Sequence, residues 1–159
     1  MEVIRGKTAM LFEASTHSAA ALAGATPEQS EALRTFGDHL GVAFQLVDDL
    51  LDYRGDAETL GKNVGDDLAE GKPTLPLIYT MREGTPEQAA LVRKAIQKGG
   101  IEDLESIRVA VEASGSLEYT AQLARDYVAR AIVCLEALPP SEYRDALVEL
   151  SEFAVARTH

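Results

Sequence analysis

Residues 44–52 read Phe-Gln-Leu-Val-Asp-Asp-Leu-Leu-Asp, which puts three carboxylates within five residues of an apolar run. On a helix Asp48 and Asp52 lie four residues apart and share a face, with Asp49 a little round the cylinder. Gln45 sits one turn earlier, beside both Asp48 and Asp49. The three charges repel one another, and the predicted helix ends just after them, where the macrodipole also disfavours negative charge. A bound cation would neutralise such a cluster. With no His or Cys nearby, the donors are all oxygen, which suits a hard ion such as Mg²⁺, often shared with a substrate phosphate. The alternative is a solvated acidic helix end. The flanking Ala43, Leu46, Val47, Leu50 and Leu51 argue against a plain surface.

The next segment, Gly-Asp-Ala-Glu-Thr-Leu-Gly-Lys-Asn-Val-Gly-Asp-Asp-Leu-Ala-Glu-Gly-Lys-Pro at 55–73, holds four glycines, a proline and many charges. It reads as a long non-helical loop, a type of segment that tends to be functional or disordered. Lys62 and Lys72 could hold anionic oxygens there. The loop is not a Walker A motif: five residues separate Gly65 from Gly71-Lys72, and Pro73 stands where Ser or Thr is needed. It also lacks the alternating acidic ligands of an EF-hand. Near the start, Arg5-Gly6-Lys7-Thr8-Ala9 offers a point charge and a hydroxyl to a phosphate. A lysine on a helix is ordinarily solvated, so that pair carries no assignment by itself.

The elements that must position these residues are helical. Strand-like alternation is nearly absent, and Ala- and Leu-rich segments at helical spacing predict helices at 2–15, 17–24, 28–54, 74–83, 86–98, 101–113, 116–137 and 141–156. Thr26-Pro27-Glu28 and Thr85-Pro86-Glu87 read as Thr N-caps followed by Pro at the first helical position. Gly99-Gly100 and Pro139-Pro140-Ser141 mark further breaks. The expectation is an all-α chain forming a single domain portion over 1–159, with a mobile loop at 55–73.

Composition bounds the function. The chain has 159 residues, 46% hydrophobic and 26% charged, which is ordinary for a folded soluble protein. A net charge of −11 argues against nucleic acid or an anionic membrane as the main partner. No apolar stretch is long enough for a transmembrane segment, and no secretory signal follows Met1-Glu2. The single cysteine, Cys134, cannot form an internal disulfide, reads as a small core residue and fits a reducing cytoplasm. His17, His39 and His159 match no chemical role and read as structural or solvated.

Together, Lys-Thr-Ala-Met-Leu-Phe at 7–12, the aspartate block at 44–52 and Leu-Gly-Lys-Asn-Val-Gly-Asp-Asp-Leu-Ala-Glu-Gly-Lys-Pro-Thr-Leu-Pro-Leu at 60–77 resemble the trans-prenyltransferases. These are the all-helical polyprenyl diphosphate synthases. Gly-Thr-Pro-Glu-Gln-Ala at 84–89 and Ala-Ser-Gly-Ser-Leu-Glu-Tyr-Thr at 113–120 are most similar to the bacterial octaprenyl type, and the resemblance runs over essentially the whole chain. It implies a helical bundle around a central cavity. There Mg²⁺ assists departure of diphosphate from an allylic prenyl diphosphate, and isopentenyl diphosphate is the acceptor. It maps the second aspartate-rich motif onto Asp48, Asp49 and Asp52, with Asp48 and Asp52 best placed for the metal. Lys7, Thr8 and Lys62 match positions that contact the allylic diphosphate, and Gln45 matches the polar residue above the reacting carbons. Lys72 and Asp66 belong to the loop that closes over the site.

The family's first aspartate-rich motif, its arginine pair and its Gly-Lys, Arg and His set for isopentenyl diphosphate are not in this sequence. The chain is therefore expected to be the C-terminal half of a cytoplasmic, homo-oligomeric synthase and inactive alone. Two other readings stay open. One is a non-catalytic partner subunit of a prenyl synthase, and the other is an acidic helical interaction domain.

Overall fold

Two helices begin in the same way. At Thr26-Pro27-Glu28-Gln29 the Gln29 N–H donates to Thr26 Oγ1 at 3.2 Å, while Gln29 Oε1 accepts from the Thr26 N–H at 3.1 Å. Thr85-Pro86-Glu87-Gln88 repeats the reciprocal pair, at 3.3 and 2.8 Å. Each is a capping box with proline at the first helical position, which satisfies two amide donors that a helix start leaves orphaned.

The computed structural model describes residues 1–54, 65–98 and 103–156. In chain order these form α1 (Glu2–Ile4), a π-helical turn (Arg5–Ala9), α2 (Met10–Leu22), α3 (Pro27–Arg54), α4 (Asp66–Ala69) and α5 (Leu75–Glu83). They continue with α6 (Pro86–Lys98), α7 (Leu104–Ala113), α8 (Ser116–Cys134), a 3₁₀ turn (Leu135–Ala137) and α9 (Glu142–Ala156). No strand occurs among the described residues, as the all-α expectation requires.

Two expectations need correction. The break expected at residue 16 is absent, because Thr16 Oγ1 donates to the carbonyls of Phe12 and Glu13, at 3.1 and 3.2 Å, and stays within the helix. The segment 55–73 is not wholly non-helical. Residues 55–64 lie outside the described residues, but Asp66–Ala69 forms a helical turn, with two acidic residues where a helix N-terminus favours them.

The chain divides into two compact units. The first takes Met1–Val47 and, among the described residues, 123–156. Its core gathers Phe36, Leu40, Ala131, Leu135 and Ala154, with Phe12, Leu33, Cys134 and Leu147 packed against them. Here α3 presents Gly37 and Gly41 to α2 and the π-helical turn. A Cβ on Gly41 would stand 2.6 Å from Ala9 Cα, and one on Gly37 2.6 Å from the Phe12 carbonyl oxygen. Only glycine permits so close a crossing. Arg5 to Asp38 at 3.0 Å and Arg34 to Glu13 at 2.6 Å pin the same pair of segments.

The second unit takes Asp48–Gln122. Its core holds Tyr53, Leu68, Leu77, Val92, Ile107 and Val111, flanked by Met81, Leu91, Ile96 and Leu104. Thr80, fully buried, donates to the Pro76 carbonyl at 2.9 Å and meets Ser114 Oγ at 2.9 Å, so the hydroxyl is satisfied inside the core.

Candidate functional site

In the first unit the site residues follow from the glycine crossing. Gly41 sits against Ala9, and one turn further along α3 Gln45 meets Thr8. Thr8 Oγ1 donates to Gln45 Oε1 at 2.6 Å. Gln45 is buried and Thr8 partly so, which makes this a short, sheltered hydrogen bond joining residues 37 positions apart. Lys7 precedes Thr8 on the π-helical turn, with its side chain in solvent. Such turns widen a helix locally and recur at functional sites.

In the second unit the aspartates divide by burial. Asp49 is only 4% exposed, while Asp48 and Asp52 are partly open. The fold gives Asp52 a fixed partner. Gly65, in the left-handed conformation at φ 88°, donates its N–H to the Asp52 carbonyl at 3.0 Å. The Asp66 N–H then donates to Asp52 Oδ1 at 3.1 Å. A side chain at position 65 would be strained by that φ and would strike Leu104 Cδ1 at 2.5 Å. Asp52 Oδ2, in contrast, is buried and finds no hydrogen-bond donor among the described residues. Burial, reinforced by the charge of Asp67, lifts the Asp52 carboxyl to about 6, against the opposing pull of the backbone donors.

Lys72 is held within its own segment, by Asp67 at 3.0 Å and by Glu70. Those carboxylates, Glu70 first, raise its pKa. Lys62 lies outside the described residues. Two groups escaped the sequence reading. Tyr53 is 3% exposed with its hydroxyl unpaired, and Thr74 is 9% exposed with Oγ1 unpaired, among the described residues. The only signal for Tyr53 was its position directly after the third aspartate.

The donor set can be tested for a divalent cation. Among the described residues no three His, Cys, Asp or Glu side chains converge closely enough to hold an ion by themselves. Asp52 nevertheless offers a buried, unpaired carboxylate oxygen, with Asp48 one turn before it on α3. An all-oxygen pair of this kind fits a hard ion whose remaining positions are filled by water and phosphate oxygens.

Residues 1–113 match the family model described as polyprenyl synthetase. The chain is 53% identical over 158 residues to the octaprenyl diphosphate synthase of Escherichia coli (strain K12), covering 99% of this chain and 49% of that protein. Among solved structures, the polyprenyl synthase of Caulobacter crescentus CB15, complexed with calcium and isoprenyl diphosphate, has a TM-score of 0.91 at 44% identity, covering 99% of this chain and 49% of that one. The geranylgeranyl pyrophosphate synthase of Corynebacterium glutamicum, complexed with isoprenyl diphosphate and magnesium, has a TM-score of 0.88 at 33% identity, covering 98% and 45%. The chain thus spans about half the length of the relatives it matches. With the family model matching 113 of its 159 residues, the chain belongs to the polyprenyl synthetase family.

Proposed function

We propose that this chain supplies the second aspartate-rich portion of an octaprenyl-type polyprenyl diphosphate synthase. The whole enzyme would transfer an allylic prenyl group from its diphosphate to isopentenyl diphosphate. The observation that carries the reading is the 53% identity over 158 residues to an octaprenyl diphosphate synthase. It is supported by Asp48, Asp49 and Asp52 falling on one helix end, with a buried oxygen on Asp52 that has no hydrogen-bond partner among the described residues.

The roles follow from side-chain chemistry. Asp48 and Asp52 would hold Mg²⁺; relatives of this fold bind magnesium or calcium with isoprenyl diphosphate. When bound, the ion would withdraw negative charge from the departing diphosphate. Asp49, nearly buried, would support the carboxylates beside it rather than reach the ion directly. Lys7 would offer a point charge to the diphosphate, and Lys62 and Lys72 would do the same from the loop. Before binding, Lys72 must exchange Asp67 and Glu70 for phosphate oxygens. Thr8 and Gln45, fixed to each other, would present one rigid polar edge to the substrate: with Thr8 donating to Oε1, the Gln45 amide orientation is set. A cytoplasmic, dimeric enzyme fits the acidic surface and the exposed apolar residues of the first unit. No helix among the described residues is long and apolar enough to cross a membrane.

The test is a chimera in which residues 1–159 replace the matching portion of the Escherichia coli octaprenyl diphosphate synthase. Long-chain product from farnesyl diphosphate and labelled isopentenyl diphosphate is expected. Asp48→Ala or Asp52→Ala in the chimera is expected to cut turnover by orders of magnitude at any Mg²⁺ concentration. A folded chimera without product, or full turnover in both variants, would overturn the assignment.

A further inference from the structure

The π-helical turn that carries Lys7 and Thr8 gets little support from the residues that lead into it. α1, just before it, buries no residue, and a Cβ on Gly6 would meet nothing within 4 Å. The turn opens at Arg5, whose carbonyl accepts from the Met10 N–H across the widened ring. What fixes it lies on α3. Asp38, Gly41 and Gln45 are spaced by three and four residues and share one face of that helix. They meet the turn at three points: Asp38 at Arg5, Gly41 at Ala9 and Gln45 at Thr8.

The contact at Arg5 is a fork. Its Nε donates to Asp38 Oδ1 at 3.0 Å and to Oδ2 at 3.3 Å, and Nη2 donates to Oδ2 at 3.2 Å. The Asp38 side chain is 15% exposed and that of Arg5 49%, so a sheltered carboxylate holds a more open guanidinium. The neighbouring His39 does not compete for it. His39 Nδ1 stands 3.5 Å from Asp38 Oδ2, yet it makes no hydrogen bond among the described residues. An ion pair this open contributes little to stability. A planar fork does constrain direction, because several donors must be met at once. Arg5 and Ala9 both meet α3, and Lys7, two residues from each, keeps its side chain in solvent.

We propose that Arg5 and Asp38 are positioning residues for diphosphate binding: their fork, with the Thr8–Gln45 bond, clamps the turn to α3 and so aims Lys7 outward from a fixed backbone. This rests on the reading of Lys7 as a contact to the allylic diphosphate. Electrostatics and positioning make opposite demands on the pair. If the two charges acted only through their fields, removing Asp38 would strengthen the hold on a diphosphate and removing Arg5 would weaken it. If they aim Lys7, losing either member weakens binding, and only while Lys7 is present.

The experiment titrates inorganic pyrophosphate into the isotope-labelled 159-residue chain and follows the Lys7 and Thr8 amide resonances by NMR. Urea unfolding of each variant is measured alongside. Arg5→Gln and Asp38→Asn are each expected to weaken binding about 3- to 10-fold, the size of coupling found within one hydrogen-bonded network. In the Lys7→Gln background neither is expected to add a further loss, and urea midpoints are expected to stay at the wild-type value. Pyrophosphate bound by Asp38→Asn as tightly as by wild type, or more tightly, would overturn the inference. So would losses that persist in full without Lys7. Losses found only with a lowered urea midpoint would reduce the pair to a structural role and overturn it equally. A wild-type chain that binds pyrophosphate no better than Lys7→Gln would overturn the assignment of Lys7 itself.

Discussion

Asp52 is a burden to the chain without a ligand. A half-buried carboxylate lifted to about 6 is less stable as an anion than it would be in the unfolded chain. Asp52→Asn keeps the oxygen that accepts from the Asp66 N–H and removes the charge. In chelator at pH 7.5 this variant is expected to be more stable than wild type by about 1 kcal/mol, after solvent screening has reduced the full effect. Differential scanning calorimetry checks it, and equal or lower stability would contradict the burial argument. At this scale the sequence shows where charges cluster: the spacing of Asp48, Asp49 and Asp52 makes them candidates by itself. Tyr53 and Thr74 do not, because a tyrosine in an apolar helix and a threonine before a helix look like ordinary packing and an ordinary cap. The Thr8–Gln45 bond joins residues 37 positions apart, which no local pattern reveals.

The crossing of α2 and its π-helical turn with α3 decides whether Thr8 reaches Gln45. Gly41→Ala would push a methyl to within 2.6 Å of Ala9 Cα, a backbone atom that cannot swing aside. The expected cost is about 1–3 kcal/mol in urea unfolding. Loss of the Thr8–Gln45 contact is expected with it, visible as a shifted Gln45 side-chain amide resonance. A neutral Gly41→Ala would show that the helices have room to part. Most elements were legible because their ends carry chemical punctuation, such as Thr-Pro-Glu and Gly-Gly. The misplaced break at 16 arose because a Ser-Thr-His run is poor helix sequence in isolation. In the structure the Thr16 hydroxyl is satisfied by carbonyls of its own helix, which runs on through it. The glycine pair at 37 and 41 was in plain view, but its meaning depends on which helix lies opposite.

For the whole molecule, the exposed apolar residues of the first unit carry the expectation. Leu11 is 74% exposed, Leu22 90% and Phe153 63%. Exposed apolar surface of this kind normally finds a partner, so sedimentation is expected to show a self-associated species; a clean monomer at micromolar concentration would contradict this. The same chain, incubated with farnesyl diphosphate, labelled isopentenyl diphosphate and Mg²⁺, is expected to make no long-chain product. Steady elongation by it would refute the reading of a shared active site. The family was legible from three short blocks, whereas the division into two units was not, since both α3 and α8 run across the boundary without a change in composition.

The twin Thr-Pro-Glu-Gln starts also have a kinetic consequence. The slow step in making a helix is fixing its first turn, while each later residue adds easily. Both starts hold that first turn with bonds spanning only three residues, so they need no tertiary structure to form. Refolding from denaturant is therefore expected to have two local points from which α3 and α6 grow. Because residues of α3 belong to each of the two units, growth from Thr26 would supply helix to both of them.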